Sequence, residues 1–301
     1  MRFGIALPHI GPVASADAII DVAQKAEALG FHSIWVLDRL LYPLNAASKY
    51  PGNPRGEIPT AMKITYEPFT VLAFAAAATK TILLGTSVLV AAYRNPVLTA
   101  KIAATLDQLS GGRLILGLGA GWSTDEFDAV DQAFHERQEK TDEYLRVLKT
   151  LWAEEQPCFS GTYYHVPKSI FLPQPLQRPG PPIWIGGNSK RAMRRAAEFG
   201  DCWHPTNRIG PLNLVEGMKY IRGLAHKASR GPEAVKPTLR WNVSLPLTRK
   251  FAVEEVLGRL LEYREAGVDY VCFDLNIPQP SSLSEMLECM ERMAESIFPI
   301  V

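Results

Sequence analysis

Ile183-Trp184-Ile185-Gly186-Gly187-Asn188-Ser189, running on into Lys190–Phe199, sets the reading of the whole chain. Three apolar residues in succession, two of them β-branched, predict a short buried strand. Two glycines end it, and Asn188 and Ser189 are good N-cap residues. Ala192, Met193, Ala196, Ala197 and Phe199 then follow a helical pattern. The bare backbone of Gly186 and Gly187 lets a ligand approach closely. The helix start offers unpaired N–H groups at the positive end of a dipole. Such a start holds phosphate well, and Lys190, Arg191, Arg194 and Arg195 add positive charge beside it. The plainer alternative is an ordinary tight βα turn next to a solvated basic face.

Outward from this unit the same rhythm recurs. Short apolar runs at 3–7, 34–37, 82–90 and 114–116 predict four strands before it; runs at 201–204, 239–247 and 270–275 predict three after it. Helical spacing fills the gaps. Asn95-Pro96 opens one helix, with an expected apolar face of Val97, Leu98, Ile102, Leu106 and Leu109. Leu283, Met286, Leu287, Met290, Met293 and Ile297 mark the last. Two segments depart from the pattern. Residues 39–66, rich in Pro, Gly and Asn, are long for a loop inside a compact domain and read as a lid or substrate wall carrying Tyr42, Tyr50 and Met62. Residues 154–182, rich in proline, read as an insertion with a small hairpin. Eight alternating strands and helices predict a parallel α/β sheet with right-handed crossovers, closed into a single (β/α)₈ barrel over 1–301 with its insertion after the fourth βα unit. A doubly wound open sheet is the alternative.

The totals agree with one enzyme-sized domain, since such barrels take about 250 residues. A net charge of +1 gives no reason to expect nucleic acid or an acidic membrane surface as partner. Cys158, Cys202, Cys272 and Cys289 stand far apart with no metal spacing, which points to reduced thiols. The chain enters a strand at once, without a signal core, and no apolar run reaches the roughly 18 residues of a membrane span. The expectation is a cytoplasmic protein with no metal.

In a barrel of this kind the working face lies where strands end. Those ends carry Pro8 and His9, Asp38 and Arg39, residues 87–91, residues 119–122, Gly186 to Ser189, His204, residues 242–244 and residues 274–276. His9 and His204 are candidates to relay a proton, against the plainer reading of hydrogen-bonded scaffold. Asp38 is the carboxylate of interest; its plain alternative is a cap for the loop that follows. Gly117-Leu118-Gly119-Ala120-Gly121 resembles a dinucleotide loop, but that pattern needs glycine where Trp122 stands. It reads equally as a tight turn or as a ligand contact.

Together these residues carry a family resemblance. Trp35 to Arg39, Gly85 to Leu89, Arg94 to Val97, Ala104 to Arg113 continuing to Phe127, Asp142 to Leu145, Ile185 to Ser189 and Gly200 to Trp203 resemble the bacterial luciferase-like flavin and deazaflavin oxidoreductases. The likeness is nearest to the branch using coenzyme F420, a 5-deazaflavin, with FMN as the alternative cofactor. It implies hydride transfer at the deazaflavin C5 to or from a small-molecule substrate. The FMN alternative is a monooxygenase fed with reduced flavin by a partner reductase. The resemblance implies a homodimer as well. It also implies a non-prolyl cis peptide at Ser87–Val88 behind the ring, Asp38 near its polar edge, and a ribityl phosphate at Gly186, Gly187, Asn188 and Ser189; Thr86, Gly119 and Gly121 would border the cofactor. Members often carry His after the strand-two Asp, sometimes as a catalytic group. Here Arg39 stands there, and an arginine orients or neutralises an anion instead of exchanging a proton. The family's sugar-phosphate dehydrogenases place Glu where this chain has Trp122.

Overall fold

The computed structural model describes residues 1–243, 250–277 and 282–301, the side chains of residues 250 and 251 excepted. The short apolar runs become parallel strands because helices cover one face and the barrel interior covers the other. They are β1 (Arg2–Ala6), β2 (Ser33–Val36), β3 (Leu83–Thr86), β4 (Leu114–Gly119), β5 (Ile183–Gly186), β6 (Cys202–His204), β7 (Leu239–Asn242) and β8 (Tyr270–Asp274). Each pairs with its sequence neighbour from β1 to β6, and β8 lies between β1 and β7, with Phe273 opposite Ile5 on one side and Trp241 on the other. The seam closes where Lys236–Pro237 pairs with β6 and Thr206 bridges Arg240. Thr238 N donates to Trp203 O at 2.9 Å and Arg240 N to Pro205 O at 2.9 Å. The sheet is therefore a (β/α)₈ barrel, and the open doubly wound alternative fails at this seam. Strand seven was expected to reach Leu247; residues 244–249, Ser244 of the expected working face among them, lie outside the described residues.

The helices are α1 (Ala16–Ala28), α2 (Pro68–Ala78), α3 (Pro96–Ser110), α4 (Thr124–Ala129), α5 (Arg137–Ala153), α6 (Lys190–Phe199), α7 (Pro211–Lys227), α8 (Lys250–Glu265) and α9 (Leu283–Ser296). Ser15, Asn95 and Ser189 cap α1, α3 and α6 with side-chain oxygens, as their residue types require. In the insertion, Phe159–Ser160 pairs antiparallel with His165–Val166.

Two expectations are corrected. On α3 the buried side is Thr99, Ala100, Ala103, Ala104, Leu106 and Asp107, whereas Leu98 and Leu109 are exposed. Small residues let this helix lie close to the barrel. Asp107 is buried because its carboxylate takes the backbone N–H and side-chain amide of Gln177 from the insertion. Strand three is not continuous over 82–90. It stops at Thr86, and the chain resumes as Leu89–Val90 alongside β4.

The barrel interior is filled below the mouth by Trp35, Ile115, Trp184, Cys202, Tyr270 and Cys272. The Trp35 and Trp184 rings lie 4.8 Å apart. This packed layer forms the floor of the site.

Candidate functional site

The break in strand three is the first part of the site. The Ser87–Val88 peptide is cis. Thr86 Oγ1 donates to Gly117 O at 2.8 Å, and Val88 turns its side chain against β4 and β5. A Cβ placed on Gly117 would lie 1.8 Å from Thr86 O, one on Gly119 2.8 Å from Val88 Cγ2, and one on Gly186 2.7 Å from Val88 Cγ1. The first two glycines of the supposed dinucleotide loop are thus in β4 itself, where they make room for the bulge. Only Gly121 turns the chain, at φ +77°, where a Cβ would meet Val90 Cγ1 at 2.7 Å.

In front of the bulge opens a cleft enclosing about 900 Å³, its solvent-filled mouth included. Asp38, Arg39, Ser87, Val88, Gly119, Gly121, Gly186, Gly187 and Ser189 all border it. So do Tyr50, Met62, Trp122, Gln138, Arg195 and Arg240. Thr86 lies beneath it, fully buried. Asn188 faces away, exchanging hydrogen bonds with Thr206. At one end, Gly187 adopts φ +111° and Ser189 caps α6 by accepting from Ala192 N at 3.2 Å.

Three sequence candidates are committed to the scaffold. Both Asp38 oxygens are bound by Arg94, at 2.6 and 3.0 Å, and one also accepts from Val90 N at 2.9 Å. That carboxylate pins the strand leaving the bulge. His9 Nδ1 donates to Leu7 O at 2.8 Å while Nε2 accepts from Leu37 N at 2.9 Å, tying the exit of β1 to that of β2. Burial holds its pKa below the usual imidazole value. His204 lies between Trp35 and Trp184, with Nε2 3.0 Å from Ser87 Oγ and Nδ1 2.8 Å from Thr238 Oγ1. Desolvation, helped by the Arg240 charge, lowers its pKa to about 3. Both histidines are neutral near pH 7 and have both nitrogens occupied.

Arg240, which the sequence reading passed over, is the main support of the bulge. Its Nη1 donates to Ser87 O at 2.7 Å and its Nη2 to Asp274 Oδ2 at 2.6 Å. A signal was present: an arginine inside an apolar strand beside another strand that ends in aspartate. Arg195, buried on α6, donates to Asp142 Oδ1 at 2.6 Å and to Gln138.

Residues 39–66 supply Arg39, Tyr50 and Met62 to the cleft wall. Glu126, the second acidic residue of α4, receives the N–H groups of Leu40 and Leu41 and the hydroxyl of Tyr93. Asp125 receives Ala47 N, Ser48 bonds Thr124, and Arg208 holds Pro51 O. The Tyr50 ring meets Trp122 edge-on at 5.2 Å, and Met62 packs beneath with Ile10, Leu37 and Ile58. Tyr42, expected to wall the substrate, instead donates to Ile58 O within the loop. Among the described residues no cluster of His, Cys, Asp or Glu is arranged to hold a metal, and no helix is long and apolar enough to cross a membrane.

The profile of the luciferase-like monooxygenase family matches residues 1–279. Monooxygenase RslO1 from Streptomyces bottropensis superposes with a TM-score of 0.80 at 22% identity, covering 99% of each chain. An F420-dependent secondary alcohol dehydrogenase, solved with an F420–acetone adduct, gives 0.79 at 20% identity over 98% of each chain. At such identities the likeness is one of fold. The FMNH2-dependent dimethylsulfone monooxygenase of Pseudomonas putida is 36% identical over 146 residues, 47% of this chain and 39% of its own.

Proposed function

This chain belongs to the luciferase-like monooxygenase family, and from that premise we propose that it is a coenzyme F420-dependent oxidoreductase acting on a small organic substrate. One observation carries the reading: the Ser87–Val88 bulge and the glycine-led start of α6 border the same cleft. A flat heterocycle with an anionic tail fits those residues. Val88 and Val90 offer an apolar wall, and Gly187 and Ser189 offer backbone N–H groups at the positive end of α6 a short way along the cleft. When bound, the deazaflavin supplies a ring carbon that gives or takes a hydride.

The protein's own part is positioning and screening. Arg240 and His204 fix Ser87 from two sides, and the Asp38–Arg94 pair fixes Val90, so the wall behind the ring cannot yield. The 39–66 loop, held by Glu126 and Asp125, supplies Tyr50 and Met62 to one wall of the cleft. Burial disfavours the charged form of both His9 and His204, and each imidazole has both nitrogens in hydrogen bonds that brace the strand ends.

A second reading, an FMN-dependent monooxygenase supplied with reduced flavin by a partner reductase, is favoured by the likeness to the Pseudomonas putida enzyme. Titrating the cofactor-free protein with F420 and with FMN, each oxidised and reduced, separates the two. Micromolar binding of F420 with weak FMN binding is the expected result; tight FMN binding without F420 binding would replace the first reading by the second.

A further inference from the structure

Three arginines border the cleft, and two are fully engaged. Arg240 is tied to Asp274 and Ser87, and Arg195 to Asp142 and Gln138. Arg39 differs. Its Nη2 donates to Leu41 O at 3.0 Å, but Nε and Nη1 are buried and have no hydrogen-bond partner among the described residues. The nearest carboxylate oxygen, Glu126 Oε1, is 3.5 Å from Nε and already takes the Leu40 and Leu41 N–H groups, while Oε2 takes the Tyr93 hydroxyl. Glu126 offsets the charge without meeting the donors. Buried charged donors left unmet are costly, so their retention beside a cleft calls for an acceptor.

The surroundings describe that acceptor. The Arg39 guanidinium lies 4.9 Å from the Trp122 ring centre, and Trp122 meets Tyr50. The Tyr50 phenol feels the charges of Arg240, Arg39 and Arg208 as well as that of Asp274. Met62 completes an aromatic and apolar wall next to this positive end. The unmet Nε–H and Nη1 donors are charged and held rigidly in one plane, which suits a carboxylate oxygen.

We infer that the substrate is an organic carboxylate, held through its carboxylate by Arg39 with its apolar body against Trp122, Tyr50 and Met62. The inference rests on the oxidoreductase reading, since it names the substrate class of that same cleft.

The test is calorimetric titration of the protein with benzoate and phenylacetate against the neutral benzamide and phenylacetamide, repeated on Arg39→Gln, with F420 and FMN binding measured on both proteins. The expected result is carboxylate binding at least tenfold tighter than amide binding, a preference abolished in Arg39→Gln, and cofactor affinity within twofold of the parent. Equal binding of carboxylates and amides, or a preference that survives Arg39→Gln, would overturn the inference. A parallel loss of cofactor affinity would overturn it too, because Arg39 would then serve the cofactor's own anionic tail. If the parent protein binds neither F420 nor FMN yet shows the Arg39-dependent preference, the oxidoreductase reading fails and the carboxylate site stands. Should Arg39→Gln not fold, Arg39→Lys is read in the same way: it keeps the charge, loses the planar Nε and Nη1 donors and is expected to lose most of the preference.

Discussion

Asp38 occupies the position from which a carboxylate would most readily act on a bound ligand, yet its side chain is wholly buried against Arg94. Breaking one partner out of a buried ion pair costs about 3–5 kcal/mol, and Glu67 remains as a second partner of Arg94. Asp38→Asn is therefore expected to lose about 3 kcal/mol of stability in urea denaturation; unchanged stability would return Asp38 to the list of free functional groups. His204 makes a prediction of opposite kind, about pH. Its folded pKa, about 3, lies below the usual imidazole value near 6.5, so the unfolded chain binds the proton first as pH falls. The stability His204 contributes is whole above pH 6.5 and is lost as pH drops from there towards 3, at about 1.4 kcal/mol per unit. His9 shifts in the same direction. Replacing His204 by Gln, which keeps polar atoms for Ser87 and Thr238, should flatten the stability–pH slope between pH 4.5 and 6 by about one proton. An unchanged slope would mean that His204 is protonated in the folded protein.

At the scale of elements, the bulge after β3 and the glycines of β4 and β5 form one interlocked unit. A methyl group on Gly119 or Gly186 has nowhere to go but into Val88. Overpacking of this kind costs about 1–3 kcal/mol. Gly186→Ala is expected to show that loss in a melting curve and to weaken cofactor binding, and Val88→Ala on top of it should restore part of both. The lid gives a fourth prediction. Glu126 clamps its first residues, so Glu126→Ala should speed tryptic cleavage at Lys49 and Arg55, read on a gel; an unaltered cleavage rate would show that the loop is held elsewhere. These elements were only partly legible. Runs of β-branched residues announced the strands, and Ser189 announced the start of α6. The purpose of Gly117 and Gly119 was hidden, because the clash they avoid is with residues some thirty positions earlier in the chain. The face of α3 was misjudged because exposed Leu98 and Leu109 outweighed the alanines that pack.

Over the whole molecule, closure of the barrel brings Arg240 and His204, from late strands, under Ser87 from an early one. The strand count predicted that closure, and the closed ring put most of the predicted residues around one cleft. Sequence could not say which of them would be spent on holding the scaffold. That depends on partners such as Arg94 and Thr238, met only after folding. It is also why the two histidines have both nitrogens in scaffold hydrogen bonds, while Nε and Nη1 of Arg39 have no hydrogen-bond partner among the described residues.

The proposed cofactor site has a planar ring lying over Val88 with its anionic tail at the start of α6. The most direct measurement is the F420 dissociation constant of the parent protein and of Ser189→Asp. Aspartate caps a helix as well as serine does, so the fold should hold while a negative charge enters the anion's place. The predicted result is an affinity weakened at least tenfold with the melting temperature unchanged. An affinity equal to that of the parent would contradict an anion seated at Ser189.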